Sequence, residues 1–124
     1  MFRRRAVSLL LIIAVVGSAA CRASRTGDEA SLLHARERVL RDDLYQLRKS
    51  IDLYLADHHA LPQSLDDLIK AGYVREIPED PMTGRQDWKV TIGLKPGDKA
   101  GRGITDVHSA STAKSSEGTL YSNW

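Results

Sequence analysis

The sequence predicts an α+β domain: a long helix packed on a small antiparallel sheet, with a short second helix and a docked C-terminal loop. Three observations carry this prediction. Apolar side chains recur with helical spacing through residues 31–59, two short segments at 88–93 and 104–108 read as strands, and a glycine-rich connection joins those segments. A sheet this small needs a helix on one face to be stable. We therefore expect the long helix to cover it.

The long helix is predicted over residues 31–59, which contain neither proline nor glycine. At about 100° per residue its apolar positions form one stripe, made up of Leu33, Leu40, Leu44, Leu47, Ile51 and Leu55. At about 1.5 Å per residue the helix is on the order of 40 Å long, more than a small domain needs. We expect the half from Leu44 to Leu55 to pack on the sheet. We expect the other half to have little cover and to bind a partner through Leu33, Leu40 and Leu44.

The remaining residues, 60–124, are predicted to form the compact body. A helix of two turns should follow Ser64 as its N-cap and stop at Gly72. The first strand should place Trp88, Val90 and Ile92 on one face. The serine-rich tail of residues 109–124 ends in a tryptophan, which is costly to leave exposed, so the tail should fold back and dock.

Composition narrows the classes of function that this chain can have. The chain has 124 residues, a formal net charge of +2 and a single cysteine, Cys21. One cysteine excludes an internal disulfide and a multi-cysteine metal site, and the weak charge does not indicate nucleic-acid binding. The four histidines lie in no spacing typical of a nucleophile or a metal site. We therefore expect a protein that is not an enzyme.

The first 21 residues are predicted to be a signal or anchor segment. Three arginines precede the uncharged segment from Ala6 to Ala20, which contains the apolar run Leu9 to Val16. At fifteen residues this segment is too short for an ordinary membrane-spanning helix. Small residues before Cys21 resemble a bacterial lipobox, which implies lipidation of Cys21. An ordinary signal peptide cut near Ala20 and an uncut anchor are the alternatives. In each case the domain is exported, and residues 22–30 are predicted to be a polar tether.

Residues from Leu40 onward resemble type II secretion pseudopilins of the major-pseudopilin type. The matching residues follow one another in order: Leu47-x-x-x-Ile51-x-x-Tyr54, Leu61-Pro62, Gly72-Tyr73-Val74, Ile77-Pro78-x-Asp80-Pro81-x-Thr83-Gly84 and Glu117-Gly118-Thr119-x-Tyr121-x-x-Trp124. The resemblance implies a pilin-like fold and a non-enzymatic structural subunit or accessory component of an export apparatus. It also implies other pseudopilin-like subunits as partners, and a membrane-associated location on the periplasmic side. That location is an inner-membrane anchor or, for a lipoprotein, the outer membrane.

Two departures from the family pattern shape the alternatives. The prepilin-peptidase glycine and the glutamate at the fifth mature position are missing around the apolar run. This favours, as the second hypothesis, a lipid-anchored binding or scaffold module that does not polymerise. The resemblance also implies a calcium loop built from Asp106, Ser109, Ser111 and Glu117. Thr112-Ala113 stands where such loops often have Asp-Gly, and Lys114 follows, so a metal-free loop with no cofactor is the alternative interpretation.

Overall fold

A computed structural model of the chain describes residues 17–97 and 99–124. In chain order it contains α1 (Gly17–His58), α2 (Asp66–Lys70), β1 (Lys89–Gly93), β2 (Gly103–His108) and a 3-10 helix (Tyr121–Asn123). The chain divides into two compact units between Leu33 and His34, and the second unit, His34–Trp124, contains the sheet and the C-terminal loop. The α+β, pilin-like arrangement predicted from the sequence is confirmed.

Helix α1 begins earlier than predicted. Residues 22–30, predicted to be a tether, are helical, so that prediction is wrong. The segment contains no proline, and its one glycine, Gly27, costs only about 1 kcal/mol inside a helix. At the other end, the predicted stop near His58 is confirmed. His59 has a φ of 52°, and its N–H closes the last turn on the carbonyl of Leu55 at 2.9 Å.

The core follows the predicted apolar stripe of α1. The stripe packs with residues from α2, the loops and β2. The buried apolar residues are Leu40, Leu44, Leu47, Ile51, Leu55, Leu61, Leu68, Ile77, Trp88, Ile104, Val107 and Tyr121. Leucine, isoleucine and valine supply most of this core, as expected for a chain with one phenylalanine.

Helix α2 is shorter than predicted, and Ser64 is not its N-cap. The capping position is Leu65, whose side chain cannot accept a hydrogen bond. Asp67 instead accepts the backbone N–H groups of Gln63 at 2.8 Å and Ser64 at 3.3 Å. The predicted stop is confirmed, because Gly72 has a φ of +84° that side-chain-bearing residues rarely adopt.

The sheet has two antiparallel strands, in which Val90 pairs with Val107 and Ile92 with Ile104. A bulge lies opposite the step from Thr91 to Ile92. The outer edge of β2 is covered, since Ile104 N–H donates to the Pro62 carbonyl at 2.8 Å. Strand β1 is different: residues 89–92 are all exposed. Of Trp88, Val90 and Ile92, which were predicted to share one face, only Trp88 is buried.

The C-terminal tail docks on the domain, as predicted. Tyr121 is buried and Trp124 is half-buried, with their rings edge to face at a centroid distance of 5.2 Å. The Tyr121 N–H donates to the Ala113 carbonyl at 3.1 Å, which closes residues 113–121 into a compact loop. We call residues 109–124 the C-terminal loop.

Candidate functional site: a groove between α1 and the C-terminal loop

Arg48 is the residue on which the site is built. It lies on α1, and its Nε donates to Asp106 Oδ1 on β2 at 2.7 Å. Its Nη2 donates to the main-chain oxygens of Val107 at 2.9 Å and Trp124 at 2.7 Å. One planar guanidinium thus joins the helix, the sheet and the C-terminal loop. Arginine suits this position because its donors are fixed in a rigid fork.

Asp106 is the carboxylate that faces this arginine. Burial by itself would raise the pKa of Asp106. The hydrogen bond from the Val107 N–H and the contact with Arg48 outweigh that effect, so the pKa lies below its usual value. Asp106 is therefore held as an anion that compensates the charge of Arg48. His108 adds to the cluster by donating from Nδ1 to the Trp124 main-chain oxygen at 2.7 Å.

Glu37 is a second charged anchor, one turn before the first core leucine of α1. Its side chain is only 2 % exposed. The carboxylate accepts the Ser116 N–H at 2.7 Å, the Ser116 hydroxyl at 2.6 Å and the Tyr121 hydroxyl at 2.8 Å. Burial would raise the pKa of Glu37, but these hydrogen bonds together lower it. Glu37 and Arg48 together thus tie the loop to α1 at Ser116, Tyr121 and Trp124.

The sequence did not reveal that Glu37 anchors the loop, because the missing information is spatial. An acidic residue on the edge of an amphipathic stripe looks the same whether it faces solvent or a loop. The one available signal was its position, since Glu37 falls on the same helical face as Leu33, Leu40 and Leu44. A charge within an apolar stripe needs partners, and the loop provides them.

Arg41 and Trp124 form the rim of the groove. The Arg41 guanidinium carbon lies 4.3 Å above the centre of the Trp124 ring, a cation–π contact. Arg41 also pairs with Glu117 at 3.3 Å, across largely exposed side chains. Both contacts help to hold the loop against α1, although an exposed ion pair contributes little stability by itself.

The groove itself has a volume of about 680 Å³. It is lined by Arg41, Leu44, Tyr45, Arg48, Lys49, Asp52, Glu117 and Trp124. Tyr45 is its most exposed aromatic residue, at 66 %, and the Lys49 ammonium lies 5.9 Å from that ring. Basic and aromatic side chains around an open groove are suited to contact with another protein surface.

The four residues predicted to bind calcium have other partners. Asp106 faces Arg48 and Glu117 faces Arg41. The Ser109 hydroxyl donates to Asp80, and the Ser111 hydroxyl accepts the Ala113 N–H. Within residues 17–97 and 99–124, no three His, Cys, Asp or Glu side chains cluster to hold a metal. An arginine on each carboxylate does not fit calcium, which prefers a carboxylate-rich oxygen shell.

The partner surface predicted on α1 needs correction. Leu40 and Leu44 are 0 % and 2 % exposed, and Leu33 is half-buried. The first two therefore cannot contact a partner while the domain is folded. The C-terminal loop is the reason, because it reaches along α1 as far as Glu37. The exposed apolar residue of this stretch within the folded unit is Val39, at 49 %.

Asp80 is a buried carboxylate that organises the proline-rich turn. Its Oδ1 accepts the Met82 N–H at 2.8 Å, and its Oδ2 accepts the Ser109 hydroxyl and the Ala110 N–H. It thereby links the turn after α2 to the start of the C-terminal loop. Burial, Asp42 and Asp80 together raise the pKa of the neighbouring Asp43.

The predicted signal segment lies largely outside the described residues. This covers the apolar run from Leu9 to Val16, and the side chain of Cys21, the predicted lipidation site, is also outside them. In the part of the chain that is described, none of the helices combines the length and the apolar character needed to cross a membrane.

Comparison with protein-family models, with curated proteins and with solved structures finds no match to this chain.

Proposed function

We propose that the chain is a non-enzymatic structural subunit or accessory component of a type II secretion, pseudopilus-like export apparatus. Its partners are other pseudopilin-like subunits, and it acts on the periplasmic side of a membrane. The observation that carries this proposal is the architecture. A helix of 42 residues bears a small antiparallel sheet and a docked C-terminal loop on its C-terminal part.

The positions of the motif residues support the proposal. Leu47 and Ile51 lie in the core. Gly72 and Gly84 have φ values of +84° and +69°, which explains why glycine stands at those places. Asp80 is fully buried and bonded to both neighbouring loops. Several of the residues that carry the resemblance thus have structural roles in this pilin-like fold.

The continuous helix is a second support. Residues 22–30 were predicted to be a polar tether between the first 21 residues and the long helix. The backbone is helical from Gly17 to His58. A helix of this length is compatible with a subunit that packs side by side with others.

The test is site-specific photo-crosslinking of the full chain in cells that contain the export apparatus. A photoreactive residue at Val39, which is 49 % exposed on α1, should give adducts with other subunits. The matched control is Lys70, which is exposed on α2. Adducts absent at Val39, or equally frequent at both positions, would remove the support for a subunit role.

A second candidate is a lipid-anchored binding or scaffold module that does not polymerise. The run of small residues from Gly17 to Ala20 before Cys21 favours it. Metabolic labelling with palmitate should then mark the native protein and be lost in Cys21→Ser, while Val39 yields no adducts. Adducts at Val39 without palmitate labelling would instead favour the subunit.

A further inference from the structure

Strand β1 is exposed on both of its faces. Every residue from Lys89 to Ile92 is exposed, and the apolar pair Val90 and Ile92 are 39 % and 44 % exposed. Their cross-strand partners on β2, Val107 and Ile104, are almost fully buried. The face that is apolar on both strands is therefore covered over β2 and uncovered over β1.

The two edges of the sheet also differ. The β2 edge is closed by Leu61 to Gln63, so tightly that a Cβ on Gly103 would lie 2.5 Å from that of Leu61. Among the described residues, backbone hydrogen bonds to residues 89–93 come only from β2. The Thr91 carbonyl points towards β2, because it accepts the Thr105 hydroxyl at 3.2 Å. The peptide groups of Val90 and Ile92 therefore point to the open edge.

The sequence around β1 is complementary to itself when read antiparallel about Thr91. In that register Val90 faces Ile92 of the second copy, and the two Thr91 residues face each other. Asp87 faces Lys95 of the second copy, while Lys89 faces a glycine, Gly93, so that no like charges are opposed. Apolar, threonine and opposite-charge pairs are the cross-strand pairs that stabilise antiparallel sheets.

We propose that two copies of this chain pair through β1, antiparallel and centred on Thr91, to form a four-stranded sheet. The strand order would be β2-β1-β1-β2. A two-stranded hairpin is marginal by itself, and in a four-stranded sheet Val90 and Ile92 would gain apolar cross-strand neighbours from the second copy. The contact is isologous and therefore closes at a dimer. It uses the sheet edge and is independent of the proposed α1 contacts.

Each charged group involved already has a partner within the monomer. Lys95 pairs with Asp52 at 2.8 Å, and both side chains are well exposed. Asp87 is half-buried; it pairs with the exposed Arg85 at 3.5 Å and accepts the Thr83 hydroxyl at 2.5 Å. Exposed ion pairs contribute little stability, so releasing Arg85 and Asp52 in favour of a pair between Asp87 and Lys95 of the second copy costs the monomer little.

The register predicts which single cysteines on β1 can form a disulfide between two copies. The test uses the full chain with Cys21→Ser, so that each variant contains one cysteine. Directly opposed residues of a non-hydrogen-bonded pair have Cα atoms about 4.5 Å apart, within disulfide range. Thr91→Cys should therefore form a disulfide dimer under mild oxidation. Lys89→Cys is the control on the same strand face, since two such residues would lie about 13 Å apart. Cross-linking that is absent at Thr91, or equal at both positions, overturns the proposal.

A second measurement uses a charged substitution and light scattering over a concentration series, with the full chain in detergent. Ile92→Lys should weaken the dimer by roughly tenfold, because it replaces two symmetric apolar cross-strand pairs with Val90 by lysine–valine pairs. Leu53→Lys is the matched control, since Leu53 on α1 is also 44 % exposed. If β1 instead binds a strand from a different protein, neither variant changes the size, and self-pairing is refuted.

Discussion

At the scale of single residues, two charged side chains of α1 determine where the C-terminal loop lies. Glu37 binds Ser116 and Tyr121, and Arg48 binds Asp106 and Trp124. Hydrogen bonds to charged groups contribute about 1.5–3 kcal/mol, roughly twice the value for neutral pairs. The helix therefore holds the loop by specific charges as well as by its apolar stripe.

The lowered pKa of Glu37 predicts how stability depends on pH. In the unfolded chain this carboxyl has its ordinary pKa of 4.5, and in the folded protein the pKa is lower. The stabilisation is thus complete above about pH 4.5 and is lost as the pH falls through the folded-state value. Glu37→Gln should lower the free energy of unfolding by about 1–3 kcal/mol at pH 7, and the difference from the native protein should shrink below pH 4.5.

Urea denaturation at a series of pH values measures this difference. Glu117→Gln is the control, because Glu117 is exposed and pairs only with Arg41, so a change below about 1 kcal/mol is expected. If the native protein and Glu37→Gln gave parallel curves from pH 7 to 3, Glu37 would not anchor the C-terminal loop.

The alkaline end of the same pH series reports on the Tyr121 hydroxyl. Burial and the Glu37 carboxylate raise its pKa to about 12, so the stability from this hydroxyl is lost between about pH 10 and 12.

At the scale of elements, the sheet depends on how closely β2 approaches the loop after α1. A Cβ on Gly103 would lie 2.5 Å from Leu61 Cβ and 2.9 Å from the Pro62 carbonyl oxygen. Both distances are shorter than van der Waals contact, and the neighbours are backbone or the first side-chain carbon. Glycine is required here by space and not by its backbone angles.

Gly103→Ala should therefore destabilise the domain by about 1–3 kcal/mol through overpacking. Gly93→Ala is the matched control at the paired position on β1, where the nearest atom to a new Cβ is Thr105 Oγ1 at 4.0 Å. Thermal unfolding followed by circular dichroism gives both values. Equal midpoints for the two variants would show that β2 can move away from Leu61 at no cost.

At the scale of the whole molecule, the folded unit is expected to begin within α1 and to need only the C-terminal part of that helix. Among residues 25–97 and 99–124, whose burial is described, all buried apolar residues lie at or after Leu40, and the first buried charge is Glu37. A chain that starts at His34 should retain the fold and its cooperative unfolding. A chain that starts at Leu40 lacks Glu37 and should be less stable by about 1–3 kcal/mol, since the groups that bound it lose their partner.

Urea unfolding and amide hydrogen exchange of residues 113–124 compare these two chains. Rapid exchange in that segment is expected only for the chain that starts at Leu40. If the chain that starts at His34 failed to fold, the preceding part of α1 would have to contribute stability that its exposed residues do not indicate.

The sequence by itself determined the local elements. Helical spacing predicted the buried stripe of α1, Gly72 predicted the end of α2, and alternation predicted both strands within about one residue. These features depend on neighbours in the chain, whose periodicity is visible in any sequence. The docking of the tail was also predictable, since Tyr121 and Trp124 are large apolar groups at the end of a polar segment.

Only the tertiary structure decided which surfaces remain free. Leu40 and Leu44 were expected on a partner-binding face and are buried, while Val90 and Ile92, which were predicted only to share one face of the strand, are exposed. The two causes are the path of the C-terminal loop and the position of the sheet across α1. That path depends on Glu37 and Arg48 meeting residues 58 to 84 positions away along the chain. Pairings at such separations follow from three-dimensional packing and leave no periodic trace in the sequence.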